Sequence, residues 1–414
     1  MGGARRNHAA INLSLNKPSP LNKPSLNMNA PRNMNAPTTQ KILFLDRDLP
    51  LTRPHSRIFS IFSSRNGIFS PLERTRRQAP GAQFFLFHPN AVYENHMASS
   101  EGLTSYRAAG HDPQLAHAYL AGQTAGLTAC FDQIVDSSSC DPVAILRDLG
   151  ARFDADAALA IAEKNLRPLE TLPAETWCLG APRHIYGAPD VEIQPGTLFD
   201  TRQGPILLDA GARIGRLSSL QGPLYIGAHS QIDNAQLHGG LVVGQHCRLG
   251  GEVEASVIND YSNKHHAGFI GHSLLGRWVN IGALATTSDL KNNYGEVRLS
   301  APADFAPVGS PPPPLLTLNS GQIKLGSIIG DCVKVAIGLR LNAGTVLDSG
   351  SNLFGEPVPK YLPPFTWGNG NQRYDATRFI RDCTAIFARR QQPPPPGLAA
   401  LLTLYEQNRS EPVE

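Results

Sequence analysis

A six-residue beat of aliphatic side chains limits what this chain can fold into more than any other feature. In the C-terminal half it falls at Ile323, Ile329, Val335, Leu341, Leu347 and Leu353, and an earlier run falls at Leu208, Ile214, Leu220, Ile226 and Ile232. Six is a multiple of the strand period of two but not of the helical 3.6, so each beat returns an aliphatic side chain to one side of a coiling strand. The beat predicts a stacked β-solenoid. Each inward residue would bury a side chain worth roughly 1.5–3 kcal/mol, and stacking joins those burials into one continuous core.

At 414 residues the chain has room for two or more domains. The formal net charge is only +3 and the basic residues are scattered, so no nucleic-acid footprint emerges. The six cysteines form no C-x-x-C pair, and Cys247 and Cys332 fall within solenoid beats, where they would act as small hydrophobes. This points to a reducing compartment. No apolar run reaches the roughly 18 residues of a membrane span. With no apolar secretory stretch at the N-terminus either, the expected location is the cytoplasm.

Residues 1–40 repeat the words L-N-K-P-S and N-M-N-A-P and read as a disordered tail, too poor in apolar surface to repay ordering. Residues 41–185 read as an α/β domain. K-I-L-F-L from Lys41 and F-F-L-F between Gly81 and Pro89 are expected strands, and Asp112 to Ala125 and Asp141 to Leu149 are expected helices, the second opening on an Asp-Pro cap. Coils occupy 191–370. They are broken by an insertion over 284–322 that includes the prolines from Pro311, and a loop this long in a tight repeat is functional, disordered or a tolerated insertion. A helical segment over 375–414 ends the chain.

Ser262 to Asn293 contains S-N-K-H-H-A-G-F-I-G-H-S-L-L-G-R-W-V-N-I-G-A, then T-S-D-L-K-N-N-Y-G from Thr287. This resembles the acetyltransferase half of the bifunctional N-acetylglucosamine-1-phosphate uridyltransferase/glucosamine-1-phosphate acetyltransferase, and more closely a bacterial branch of sugar nucleotidyltransferases related to it. With I-I-G-D at Ile328 to Asp331, the resemblance covers about 191–370. It implies a left-handed parallel β-helix of hexapeptide repeats, an exception to the right-handed crossover rule. It also implies a homotrimer with active sites between neighbouring coils, and an insertion reaching toward the adjacent subunit.

By the same resemblance His266 is the catalytic residue, an imidazole that takes the amine proton during acyl transfer. Asn280 would contact substrate, and Asn293 and Tyr294 the acyl-coenzyme A, although four extra residues precede that pair. Lys264 and Lys291 would meet phosphates, and a backbone N–H near Gly282 and Ala283 would hold the oxyanion. Two departures stand out. Phe269 replaces a tyrosine, and Ser256 stands where a lysine would clamp the sugar phosphate, a contact worth about 1.5–3 kcal/mol.

In the front domain, L-T-R-P at Leu51 to Pro54 and G-I-F-S-P-L-E-R at Gly67 to Arg74 look like the opening elements of the nucleotidyltransferase branch. Arg53, Arg57 and Arg74 would hold phosphates and Asp46 or Asp48 would touch Mg²⁺, but the glycine-rich G-x-G-T-R cradle is absent, so the domain is read as diverged. Four functions follow. The first is an acetyl-coenzyme A dependent N-acyltransferase acting on an amino sugar, as a sugar phosphate or nucleotide sugar, with Mg²⁺ needed only if the front domain is active. The second is a non-catalytic sugar-nucleotide-binding homologue. The third is a zinc lyase using His238, His266 and His272, whose spacing does not fit, so no metal is expected. The fourth is nucleotidyl transfer with the solenoid as an oligomerisation platform.

Overall fold

The computed structural model describes residues 39–47, 49, 59–89, 91–303, 314–370, 372–399 and 402. The tail expected over 1–40 lies outside them except for its last two residues, as do Asp48, Arg53, Arg57 and Pro311 to Pro313.

The aliphatic beat winds into a prism of three parallel walls. On the first wall Ile206–Leu208, Leu224–Ile226, Leu241–Val243, Val257–Ile258, Leu274–Leu275, Ile328–Ile329 and Val346–Leu347 stack in parallel register. The second wall runs from Arg213–Ile214 through the strands that begin at Gln231 and Arg248 to Asn263–Lys264, Asn280–Ile281, Lys334–Val335 and Asn352–Leu353. Trp177–Leu179, Leu198–Asp200, Ser219–Gln221 and Phe269–Gly271 belong to the third. The predicted rungs Leu208, Ile214, Leu220, Ile226 and Ile232 are fully buried in one core with Ile329, Val335, Leu341, Leu347 and Leu353. Ile323 is not a rung. It is 58% exposed, because the six residues back from Ile329 cross the end of the insertion instead of a wall.

Among the described residues only the first wall is apolar on both faces, which is why its strands read as unbroken runs such as I-L-L and L-V-V. Leu207, Tyr225, Val242, Val257 and Leu274 face outward into a second core. That core is closed by Val143 and Ile145 of the helix Pro142–Arg147 and by Leu149 and Phe153 of the helix Leu149–Glu163. The insertion supplies the rest of the cover. Its strands Arg298–Pro302 and Leu315–Asn319 pair antiparallel, and Val297, Leu299 and Ala301 bury against Ile328 and Val346 of the same chain's wall.

The front region carries a four-stranded parallel sheet in the order Thr104–Ser105, Gln83–Phe87, Lys41–Leu45, Gln133–Asp136. Asp141 caps the helix Pro142–Arg147 by accepting from the Ala144 N–H, as its Asp-Pro start predicts. A third core joins Ile42, Phe44 and Phe62 to Trp278 and Cys332 on the solenoid and to Phe379, Cys383 and Phe387 of the helix Ala376–Ala388.

Buried charge reinforces that junction. Arg65 Nε pairs with Asp260 Oδ1 at 2.8 Å, and Arg277 reaches both Glu101 and the Ser63 carbonyl. Burial works against the Asp260 charge, but Arg65 and Arg277 outweigh it and hold the carboxyl below its usual range. Asp331 has no such rescue. Burial pushes its carboxyl up to about 7, only partly offset by Arg277. A carboxyl raised in the folded state binds a proton there more readily than in the unfolded chain, so stability falls as pH rises from about 4 to about 7. Asp331→Asn should therefore stabilise the fold at pH 8 by on the order of 2–4 kcal/mol. The gain should shrink toward pH 4, as read by denaturant unfolding across that range.

Candidate functional site

The beat running Ile258, Lys264, Ile270 places a lysine at an inward position, and the structure buries it there at 2% exposure. Lys264 Nζ donates to the carbonyls of Gly250, His266 and Gly268 at 2.8, 2.6 and 2.8 Å. It cannot meet a substrate phosphate, so the expected substrate contact is corrected to a brace inside the coil. Burial pushes its ammonium down to about 8, while the three carbonyls satisfy every donor it has. This brace fixes the turn that carries His266. The His266 ring is exposed and meets His265 edge to face at 5.2 Å.

Ser256 is also corrected. It is fully buried, its hydroxyl donating to the Glu254 carbonyl at 2.6 Å and accepting from the Ser273 N–H at 3.0 Å. It holds two coils together and presents nothing to solvent. The Gly282 N–H donates to the Val335 carbonyl at 2.8 Å, which removes it as an oxyanion donor. In the front region the Arg74 guanidinium is engaged by Asp156 at 2.5 and 2.8 Å and by Asn66, so it is not free for a phosphate.

Asn280 faces outward, its Oδ1 accepting from Asn263 Nδ2 at 2.8 Å. Both line a groove of about 450 Å³ between the second wall and the end of the terminal helix. The groove also receives Arg248 and Lys334 from the wall and Arg389 and Arg390 from the helix end. Arg248, Asn263, Asn280 and Lys334 are register partners of successive coils, so they rise in steps of about 4.8 Å along one line. Among the described residues no acidic side chain lines this groove. Burial, then the neighbouring Arg248 and Arg389, lower the Arg390 guanidinium from its ordinary value.

The insertion residues turn to another corner. Lys291 Nζ donates to the Glu296 carbonyl and Asn293 Oδ1 accepts from the Gly295 N–H, each at 3.0 Å, closing a turn that leaves Tyr294 exposed. Tyr294 lines a second cavity, of about 460 Å³, together with His272, Arg147 and Lys324. Within one chain, Asn280 and Tyr294 thus belong to different cavities, and His266 lines neither. The three histidines of the zinc-lyase reading do not form a metal-ligand group among the described residues. His238 lies against Glu252 at 3.5 Å, while His272 groups with Glu254 and Asp289.

No family model matches the chain. The bifunctional protein GlmU of Acaryochloris marina is 31% identical over 119 residues, 24% of this chain and 25% of that protein. GlmU of Gloeobacter violaceus is 36% identical over 92 residues, 22% of this chain and 19% of its own length. Both matches are partial, a likeness between one stretch of this chain and part of GlmU. The chain spans about a quarter and a fifth of the length of these curated relatives. A crystal structure of UDP-N-acetylglucosamine acyltransferase overlaps 54% of this chain and 88% of its own at 18% identity, with a TM-score of 0.19, too low to bear on the argument.

The hexapeptide-repeat pattern could have revealed the basic groove. On the second wall the residue before each rung points outward, which selects Arg248 before Leu249, Asn263 before Lys264, Asn280 before Ile281 and Lys334 before Val335. Arg389 and Arg390 carry no such signal, because helix docking depends on distant contacts. The Lys264 brace makes a direct prediction: Lys264→Met removes a donor from three carbonyls, of which that of Gly268 keeps the Glu252 N–H, and should cost about 2–3 kcal/mol. Thermal unfolding would show the loss, with faster amide exchange at residues 266–268.

Proposed function

We propose that the protein transfers an acyl group from acetyl-coenzyme A to the amine of a phosphorylated amino sugar. The observation that carries this reading is the groove in which the Asn263 and Asn280 amides stand among four cations, with no acidic residue in the lining among the described residues. Amides suit sugar hydroxyls, and guanidinium groups suit phosphate in a bidentate fork. The groove supplies the phosphate-binding charge that Ser256 does not, and GlmU, by its name a bifunctional protein, is the kind of relative found.

In this reading the neutral amine attacks the thioester carbonyl, the tetrahedral adduct collapses, and the coenzyme A thiolate leaves. The amine proton passes to an imidazole, for which the motif names His266, and thence to solvent or thiolate; since His266 lies outside this groove in its own chain, the reading requires that a neighbouring copy supply it. Lys264 positions that residue through its carbonyl. The protein is further proposed to act as a homotrimer in the cytoplasm. Leu284 and Ile337 are exposed on adjacent coils at the corner that carries His266, an apolar surface that a second copy would cover. Among the described residues no helix is long and apolar enough to cross a membrane. The nucleotidyl reading gains no comparable support, since Arg74 is engaged internally and Arg47 pairs with Asp136.

The test follows free thiol released from acetyl-coenzyme A with a panel of amino sugars and their phosphates. Release should require the phosphorylated acceptor, and Arg389→Ala with Arg390→Ala should raise KM by about 10-fold or more, as expected on losing charge-assisted phosphate contacts. Thiol release no faster than in buffer, across the whole panel, would remove this function.

A further inference from the structure

One corner of the prism carries side chains that acyl transfer leaves idle. Glu254, His272 and Asp289 come from three successive coils, and one ligand atom of each lies within 4.8 Å of the other two. They are only partly accessible, their side chains 31%, 21% and 12% exposed. His272 Nδ1 is 2.7 Å from Asp289 Oδ2, and Lys324 Nζ is 3.3 Å from Glu254 Oε1. Ala255 and Gly240 occupy the same corner in the two preceding coils and extend no long side chain. The roughly 460 Å³ cavity opens beside them, with His272 in its lining and Tyr294 and Lys324 on the insertion side.

Asp289 is partnered by His272 and Glu254 by Lys324, and a divalent cation shared by the two carboxylates would replace both of these contacts. One imidazole nitrogen with two carboxylate oxygens is a donor set suited to Zn²⁺ and neighbouring divalent metals. Bonds of about 2.0–2.2 Å in a tetrahedron set donors roughly 3.3 Å apart, so the His272 to Asp289 contact needs to open by only about half an ångström. The Lys324 ammonium sits on Glu254 as the present counter-charge, and its half-exposed stem can swing aside.

We propose that Glu254, His272 and Asp289 form a divalent-cation site of the zinc class, at the edge of the cavity that His272 lines. Three protein ligands beside an open cavity is the arrangement of metal sites that bind water or substrate, whereas structural zinc is closed by a fourth ligand. The site gives the insertion a role beyond covering the first wall, because Asp289, Tyr294 and Lys324 all belong to it or its flanks. It is independent of the acyl-transfer reading.

The experiment uses the full chain carrying Cys130→Ser, which removes the exposed thiol, stripped with chelator and titrated calorimetrically with Zn²⁺. About one equivalent should bind, and both His272→Ala and the near-isosteric Asp289→Asn should weaken it by at least about 10-fold. Lys324→Ala should tighten it several-fold by removing the competing ammonium, an effect that a merely structural cluster would not show. Co²⁺ should give a visible absorption band that His272→Ala abolishes. Circular dichroism checks each variant for folding, and if His272→Ala fails to fold, Asp289→Asn decides. Sub-stoichiometric uptake, equal affinity in the folded variants, or a Lys324→Ala protein that binds no tighter would each overturn the site.

Discussion

Everything in this structure depends on register between coils. Parallel pairing carries Ile206 onto Leu224 and Leu224 onto Leu241, so each inward side chain lands on the one below and its outward neighbour lands on an outward neighbour. A slip of one residue would turn every rung to solvent and every surface residue inward. The same register builds both candidate sites. It lines up Arg248, Asn263, Asn280 and Lys334 along a wall, and it brings Glu254, His272 and Asp289 from three coils to one corner.

Register also decides what an atypical residue does. Lys264 and Ser256 read from motif alignment as outward, ligand-facing groups, but their positions are interior and their polar atoms turn to backbone. A buried polar group is costly unless it is bonded, and both are: the lysine answers three carbonyls, the serine bridges two coils. These residues satisfy a corner where the chain bends through left-handed conformations, as at Ala255, His272 and Gly251. The family resemblance identified a stretch of chain correctly, while the side of the wall had to be taken from the beat.

The fold was largely legible. The runs at Leu208 to Ile232 and Ile329 to Leu353 are rungs because a period of six survives local variation in the residues between. Ile323 broke the pattern without breaking the count, since a chain that leaves the coil can return at any phase. The strands at Lys41 and Gln83 and the cap at Asp141 followed from local chemistry. What was hidden was long-range. Nothing near Arg389 in sequence says that its helix ends over the second wall, and nothing near Leu299 says that the insertion folds back onto the first.

The covered first wall has a consequence for how this architecture can be divided. Leu207, Tyr225, Val242 and Val257 are as fully enclosed on the outside of the prism as the rungs are within it. A fragment cut to begin at Val191 would lay bare a greasy strip several coils long, a surface suited to clumping more than to catalysis. The front helices thus act as a permanent sheath, and severing them from the prism would forfeit the solubility of both pieces.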